Sequence, residues 1–496
     1  MLKELYQKIE NEEDLRNNLI LLKKELKNEI NKKVFLQMID GRADLLVKLL
    51  NHDEPKVRKN TALILGQLKL SETLEPLFTA YEQEKQLFIR SDYLKAMSAF
   101  DYSNKLEKLE ERLSQLLNAP IKEEEKKHIR EEISLLQKMV LKDKKGNRHE
   151  FVGKDNTYEV LLITNPMFRE LTAKQIKGKE IFLLPMGVKT VTDDIDQIRG
   201  IRTCSELLFL IKCKEKLSGN PIQIAKALRE SNLLEIIHRA HGDHQPVYFR
   251  LGVVSKMPLD KRSQFVKRCS CELEERSARN LINAPSNYEI EIRLYEKKDG
   301  TFFPALKFFT LKDERFQYRE NVTPVSIAPH TAAIIAQLSQ PFLKEDAQVL
   351  DPFCGVGTML MERDHMVAAK VMYGIDIYNE AVKKAKLNTD LAGRQVYYIN
   401  RDFFTFSHQY LFDEIFTNLP DRGKKGREEQ DNFYRKFFEK SKDILKTDGI
   451  IIMYTDEHGL VKKYLRLMDE FTLKKEYCLN EKESKYLFII GQRRQA

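Results

Sequence analysis

The chain has no tryptophan, and cysteine is sparse: six in 496 residues, with no Cys-x-x-Cys pair. That scarcity argues against a secreted disulfide scaffold. Long apolar runs are missing too. No stretch approaches the ~18 apolar residues of a membrane span, and Met1-Leu2-Lys3-Glu4-Leu5 opens without the apolar segment of a signal peptide. The expectation is a soluble cytoplasmic protein with no membrane partner. What is present is ample for folded cores: 42% hydrophobic and 32% charged residues exclude a mainly disordered chain. At roughly 150 residues per domain, the length implies about three domains. The 84 Lys+Arg against 75 Asp+Glu leave a net charge of +9, unevenly spread: residues 1–150 carry +2, 151–340 carry +6 and 341–496 carry +1. The middle third is therefore where a phosphate backbone is first sought.

The first third reads as helix throughout. Glycine is scarce, and apolar residues recur at helical spacing in Leu45-Leu46-Leu49-Leu50 and Ala62-Ile64-Leu65-Leu68. A faint repeat shows in Asp53–Arg58 and Leu87–Arg90, each ahead of an apolar helix, with the two arginines 32 residues apart. This resembles HEAT-type paired helices; a plain helical bundle is the alternative. From about 150 the pattern turns to short strands and helices: strands at Tyr158–Thr164, Glu180–Leu184 and Pro246–Val254, helices at Ile222–Ser231 and Lys261–Leu281, and an alternating strand over Tyr288, Ile290, Ile292 and Leu294. The final third alternates strand and helix as a parallel doubly wound sheet does. Its strands are Gln348–Asp351, Val371–Ile375, Val396–Asn400, Glu414–Thr417 and Gly449–Tyr454, followed by a hairpin-like pair, Phe471–Leu479 and Tyr486–Gln492.

The densest signal is Val349-Leu350-Asp351-Pro352-Phe353-Cys354-Gly355-Val356-Gly357-Thr358. An apolar strand ends in an acid, a glycine turn follows, and a helix begins near Thr358. Gly355 and Gly357 let the backbone approach a ligand, and the helix start offers free N–H groups. The next strand ends Ile375-Asp376-Ile377, where an acid accepts from a ribose diol. The third ends Asn400-Arg401-Asp402-Phe403, an acid for an adenine amine with Phe403 or Phe404 against the ring. The fourth ends Thr417-Asn418-Leu419-Pro420-Asp421. Each acid alone reads equally as a helix cap; four in order along one carboxyl edge read as a nucleoside site. A dinucleotide-binding reading fails because position 360, where a third glycine belongs, is leucine.

At this point the sequence resembles the class I S-adenosylmethionine-dependent methyltransferases. More narrowly, Asp351–Thr358, with Arg315-Phe316-Gln317-Tyr318-Arg319 and Pro324–Ala333 upstream, resembles the THUMP-associated RNA guanine-N2 methyltransferases. The likeness covers about 310 to the end, more loosely 150–300, and leaves the first 145 residues outside. It implies a helical HEAT-like domain at 1–145, an α+β THUMP-like RNA-binding domain at 146–310, and a Rossmann-like α/β methyltransferase domain at 311–496, mostly parallel with an antiparallel last strand. It implies S-adenosylmethionine as cofactor, held by Asp351, Phe353, Cys354, Gly355, Gly357, Thr358, Asp376, Ile377, Asp402, Phe403 and Asn418. The substrate it implies is structured RNA, guanine N2 of tRNA or rRNA foremost, with no metal. The helical first third is left as a surface for a protein partner.

An exocyclic amine is a poor nucleophile, its lone pair being delocalised into the ring. Asn418 and the carbonyls of Leu419 and Pro420 are placed to accept its N–H bonds and turn the lone pair outward. The resemblance assigns that role to an Asn/Asp-x-Pro-aromatic motif, and here the chain departs: the stacking aromatic is replaced by Asp421. Phe403, Phe404 or Tyr434 would have to supply a ring; otherwise Asp421 is a proton acceptor or a partner of Arg422. The departure keeps open a scaffold that no longer turns over, and an adenine-N6 or protein methyltransferase. Arg422, Lys424, Lys425 and Arg427 form a cationic loop for phosphates or plain solvated surface, and Arg315 and Arg319 either contact phosphate or brace two domains. His238, His241 and His244 invite a zinc reading, yet Gly242 breaks their register and no other ligand cluster lies near.

Overall fold

The computed structural model describes residues 2–118, 124–143, 149–178, 180–421, 423 and 426–493, and the chain divides into two compact units, Met1–Arg148 and His149–Ala496. Among the described residues the first unit holds nine α-helices: α1 Leu2–Glu10, α2 Leu15–Glu25, α3 Glu29–Met38, α4 Asp44–Leu49, α5 Pro55–Leu68, α6 Leu74–Gln83, α7 Leu87–Met97, α8 Leu106–Asn118 and α9 Lys126–Asp143. Their apolar faces share one core, with Leu22, Phe35, Leu46, Val57, Ile64, Leu77, Ile89 and Leu136 fully or almost fully buried. α5 and α7 approach closely because position 66 is glycine; a Cβ there would lie 2.7 Å from Ala96 Cα.

The two arginines spaced 32 apart have the same job. Arg58 donates to the carbonyls of His52 and Asp53 at 2.8 and 3.0 Å, and Arg90 donates to the carbonyl of Glu84 at 2.9 and 2.7 Å. Each guanidinium folds back onto the loop ahead of its own helix and satisfies carbonyls that no helix pairs. Arg58 also forks onto the Glu84 carboxylate, 2.8 Å on both arms, tying the second loop to the first repeat.

The second unit contains two sheets. The first has strands β1 Tyr158–Thr164, β2 Ile181–Leu184, β3 Gly187–Thr192, β4 Cys204–Leu210, β5 Val247–Val254, β6 Leu281–Asn283, β7 Ile290–Glu296 and β8 Phe302–Phe308, in the order β2-β3-β1-β4-β8-β7-β5-β6. Between them come α10 Arg169–Ala173, α11 Ile195–Arg199, α12 Pro221–Arg229, α13 Leu233–His241 and α14 Leu259–Arg276. Four of these strands, β3, β4, β6 and β8, were not expected from the sequence. The helix expected to run to Leu281 stops at Arg276, because Ala278 and Arg279 take left-handed conformations, φ 46° and 61°. Leu281 then starts β6 and pairs with Val247.

The second sheet has β9 Gln348–Asp351, β10 Val371–Asp376, β11 Tyr397–Asn400, β12 Phe412–Asn418, β13 Leu445–Thr455, β14 Phe471–Asn480 and β15 Lys485–Gln492, in the order β11-β10-β9-β12-β13-β15-β14. The first five are parallel, β15 runs antiparallel beside β13, and β14 closes the edge. Its helices are α15 Pro329–Ser339, α16 Thr358–Met366, α17 Asn379–Leu391, α18 Arg427–Ile444 and α19 His458–Leu467. Both faces are covered, one by a core including Ile335, Leu360, Ile452 and Ile489, the other by one including Ile415, Tyr434, Phe437 and Met453. That double burial is why its strands read as continuous apolar runs.

Buried polar ties join the two sheets. Arg202 forks onto Glu362 at 2.8 and 2.6 Å, and Tyr318 donates to the same carboxylate at 2.7 Å. Arg315 donates to the carbonyls of Ile201 and Cys204 at 2.6 and 2.8 Å and pairs with Asp313; its side chain is 7% exposed. Of the two readings of Arg315, phosphate contact or brace, this geometry is the brace: a guanidinium buried on backbone carbonyls has no face for a phosphate.

Candidate active site

The glycine turn is built by its neighbours. Asp351 ends β9 fully buried, accepting from Phe353 N–H at 3.1 Å and from the Thr417 hydroxyl at 2.7 Å, both on Oδ1. Its second oxygen, Oδ2, is buried and has no partner. Burial pushes this carboxyl up to about 7, the charge of Asp376 adds to the rise, and the two hydrogen bonds oppose it. Gly355 turns left-handed, φ 52°, and nothing lies within 4 Å of where a Cβ would stand, so the turn opens onto free space. Gly357 is different. Its φ is 85°, and a Cβ there would meet the Tyr398 hydroxyl at 2.3 Å. The missing side chain makes room for Tyr398. Tyr398 also lies over Gly374 and bonds Thr389 at 2.8 Å.

Gly357 is the N-cap of α16 and brings no side-chain acceptor, so the first N–H groups of that helix stay available. Thr358 is buried, and its hydroxyl accepts from Arg319 at 3.2 Å; Arg319 also donates to the carbonyl of Ile327 at 2.9 Å. The second arginine of the upstream segment is thus fastened to the start of α16. Cys354 is buried at 5% exposure, donates its N–H to the carbonyl of Ile375 at 2.9 Å, and has a thiol that burial pushes far above its ordinary range. It is packing, and it presents no thiolate.

At the tip of β10, Asp376 accepts from Gly355 N–H on one oxygen and from Tyr378 N–H on the other, each at 2.9 Å. It therefore shapes the glycine turn while each oxygen keeps a lone pair for a further donor. Ile377 and Tyr378 follow, 62% and 73% exposed. At the tip of β11, Asp402 is exposed and accepts from Phe404 N–H at 2.9 Å, capping a short turn with one oxygen. Phe403 presents no open ring face at the rim. It is 2% exposed and packs on Phe353 and Phe437, with ring centroids 5.6 and 6.1 Å away. Phe353 and Phe404, both half-buried, carry what ring surface this corner offers.

At the tip of β12, Asn418 is half-buried, and its side-chain amide has no hydrogen-bond partner among the described residues. Leu419 is buried and donates its N–H to the carbonyl of Tyr454 at 2.9 Å, which fixes the turn against β13. Pro420 is exposed. Asp421, 63% exposed, pairs with Lys485. Tyr434, considered as a substitute stacking ring, is fully buried and bonded to the Thr455 hydroxyl. Arg427 opens α18 at the surface; Arg422, Lys424 and Lys425 lie outside the described residues.

Two features were missed in the sequence. Arg363 and Glu414 are both wholly buried and joined by two contacts of 2.8 Å, clamping the last turn of α16 to the start of β12, at the edge of the sheet opposite the glycine turn. A glutamate in the apolar run Phe412–Asn418 was the available sign. Lys485 was the other, unremarkable in sequence and placed only by the antiparallel β15. The three histidines form no cluster: His238 and His244 contact each other at 2.9 Å, while His241 bonds Thr310 at 2.9 Å and stacks on His149.

One rim therefore presents a buried unpaired carboxylate oxygen, an open turn, uncapped helix N–H groups, a second carboxylate at Asp376 and an unengaged amide at Asn418. These suit a ligand carrying a cation, a carboxylate and a diol, with a second molecule meeting it at Asn418.

Comparison with known proteins agrees with the fold. Residues 317–483 match the RMKL-like methyltransferase domain family, and residues 43–123 match HEAT repeats. Among solved structures, TrmN from Thermus thermophilus is 16% identical, with 68% of this chain and 100% of that chain covered at a TM-score of 0.50. A predicted N6-adenine-specific DNA methylase from Listeria monocytogenes is 12% identical, covering 69% and 98%, and the SAH complex of SMU.472 is 14% identical, covering 68% and 99%, both at 0.50. No curated protein matches. Shares of this size exceed what the first unit can supply, so the likeness falls mostly on His149–Ala496. The last sheet and its helices have the class I methyltransferase fold, and the first unit carries HEAT repeats.

Proposed function

We propose that this chain transfers a methyl group from S-adenosylmethionine to an exocyclic amine of structured RNA, guanine N2 of a tRNA or rRNA. The observation that carries the reading is the convergence of Asp351, the open Gly355 turn, Asp376 and Asn418 on one carboxyl edge. Asp351 Oδ2 suits the cofactor's ammonium, the start of α16 its carboxylate, and Asp376 its ribose diol, with Ile377 beside the adenine and Asp402 at its amine. When bound, the cofactor supplies a methyl group on a sulfonium sulfur. Asn418 Oδ1 and the carbonyls that follow accept from the acceptor amine, hold its nitrogen in line and turn its lone pair toward that methyl.

The RNA partner is supported by the first sheet of the second unit. A cavity of about 370 Å³ there is lined by Arg250, Arg262, Lys267, Ser263, Ser270 and Asn283 and by the apolar Leu251, Val253, Val266 and Pro285. Arg262 and Lys267 have no ion-pair partner among the described residues, and the buried Ser270 hydroxyl is unpaired. The cationic residues of this cavity suit a backbone phosphate. Among the described residues no helix is long and apolar enough to cross a membrane. We assign the HEAT unit to a protein partner; Ile30 and Val34 on α3, 71% and 48% exposed, offer it apolar surface.

The test is nucleoside analysis of RNA from cells with and without this protein. Loss of N2-methylguanosine is the expected result. Unchanged methylation beside clear S-adenosylmethionine binding by calorimetry would instead identify a scaffold.

A further inference from the structure

The residue that departs from the Asn-x-Pro-aromatic pattern is held in place by the fold. Asn418 pairs across the sheet with Tyr454, and Tyr454 with Leu487. Asp456 lies two residues beyond Tyr454, and Lys485 two residues before Leu487 on an antiparallel strand, so both stand on the rim above that row. Lys485 is 17% exposed, 3.6 Å from Asp456 Oδ2, and in contact with Asp421 Oδ1. Asp421 Oδ2 has no partner among the described residues. The rim next to Asn418 thus displays a fixed carboxylate oxygen, an acceptor only, where the pattern has a ring.

Base chemistry gives this a consequence. RNA has three exocyclic amines. Adenine N6 and cytosine N4 are flanked on the ring by nitrogen lone pairs. Guanine N2 alone has a ring N–H, at N1, beside it. A carboxylate next to the amine holder accepts from that N–H and opposes a lone pair in the same place. We propose that Asp421, positioned by Lys485, selects guanine over adenine and cytosine by accepting N1–H. This rests on the guanine reading above and goes beyond it in naming the discriminating group.

The experiment uses the full-length chain, S-adenosylmethionine, and total tRNA and rRNA from cells that lack the protein. The guanosine that is methylated is mapped, and that RNA is remade with 2-aminopurine at the position. 2-Aminopurine keeps the reacting amine but carries a lone pair at N1. Wild type is expected to prefer guanine roughly 100-fold in kcat/KM, less than a fully buried site achieves because Asp421 is partly exposed. Asp421→Asn, whose amide can donate, is expected to bring the ratio within about tenfold of unity, and Lys485→Met to shrink it partway. Wild type using both bases equally overturns the proposal without any variant. So does an unchanged ratio in Asp421→Asn that still binds S-adenosylmethionine. Methylation of adenine or cytosine, or of no RNA at all, overturns the proposed function and this inference with it.

Discussion

Asp351 gives the sharpest quantitative test, because it is costly to the fold and needed by the ligand. Its carboxyl, fully buried with Oδ2 unpaired, is raised from 3.8 to about 7 by burial first and Asp376 second. The sign follows from linkage. Below the unfolded value both states are protonated and nothing is lost. Between about 4 and 7 the unfolded chain ionises while the folded one does not, so stability falls by ~1.4 kcal/mol per pH unit. Above 7 the loss is constant, about 4 kcal/mol at most. Asp351→Asn removes the ionisation, and its amide oxygen still accepts from Thr417 and Phe353. The variant is therefore expected to match wild type near pH 4 and to be progressively more stable up to pH 7. The neighbouring Cys354 is a built-in reporter, buried in the same turn. Its modification by a thiol reagent, followed by mass spectrometry at one fixed pH, reads local opening. At pH 8 Asp351→Asn should slow it by roughly 10³-fold. Cofactor binding should go the other way. With the charge gone, S-adenosylmethionine affinity should fall roughly 10- to 100-fold. Wild-type affinity should weaken about tenfold from pH 8 to pH 6, as the carboxylate that meets the ammonium is protonated. A pH-independent stability difference, or an Asp351→Asn variant that binds as tightly as wild type, would refute the reasoning.

Asp376→Ala loses both the diol acceptor and the anchor of Gly355 N–H, so calorimetry should show cofactor affinity reduced at least 100-fold; equal affinity would exclude the assigned role. Asn418→Ala should bind the cofactor normally and lose roughly 10²–10³-fold in methyl transfer, a split that undiminished turnover would contradict. Arg315→Ala removes the guanidinium donor from the carbonyls of Ile201 and Cys204 in the junction between the sheets. It should cost roughly 2–3 kcal/mol in urea unfolding while leaving the salt slope of RNA binding unchanged; a slope shallower by about 0.9 would make it a phosphate contact.

Local pattern revealed most of the last sheet, and the reason is physical. A strand covered on both faces is a short apolar run with an abrupt end, so Gln348–Asp351 could be placed to the residue, and the acids at the strand ends marked the rim. The helical first unit was legible for a related reason: Arg58 and Arg90 do the same carbonyl-satisfying work in successive loops, and the work left a spacing. What pattern could not show was who meets whom. β3, β4, β6 and β8 belong to a sheet whose order interleaves distant segments, and their pairing is set by tertiary contacts that no local window contains. The glycines looked alike in sequence, yet Gly355 opens to solvent while Gly357 accommodates Tyr398 from β11. Phe403 looked like a ring for adenine because it follows an acid at a strand end, but the half-turn after Asp402 rolls it into the core and leaves Phe353 and Phe404 outside. Asp421 is the clearest case. As a letter it was a missing aromatic and a reason to doubt activity. The antiparallel return of β15 puts Lys485 against it, and an ion pair on the rim beside an unengaged asparagine is the arrangement from which we propose a substrate preference. The same substitution therefore argues for loss of function when read along the chain and for the proposed selectivity when read across the sheet, where Lys485 holds Asp421 and Asp456 together on the rim.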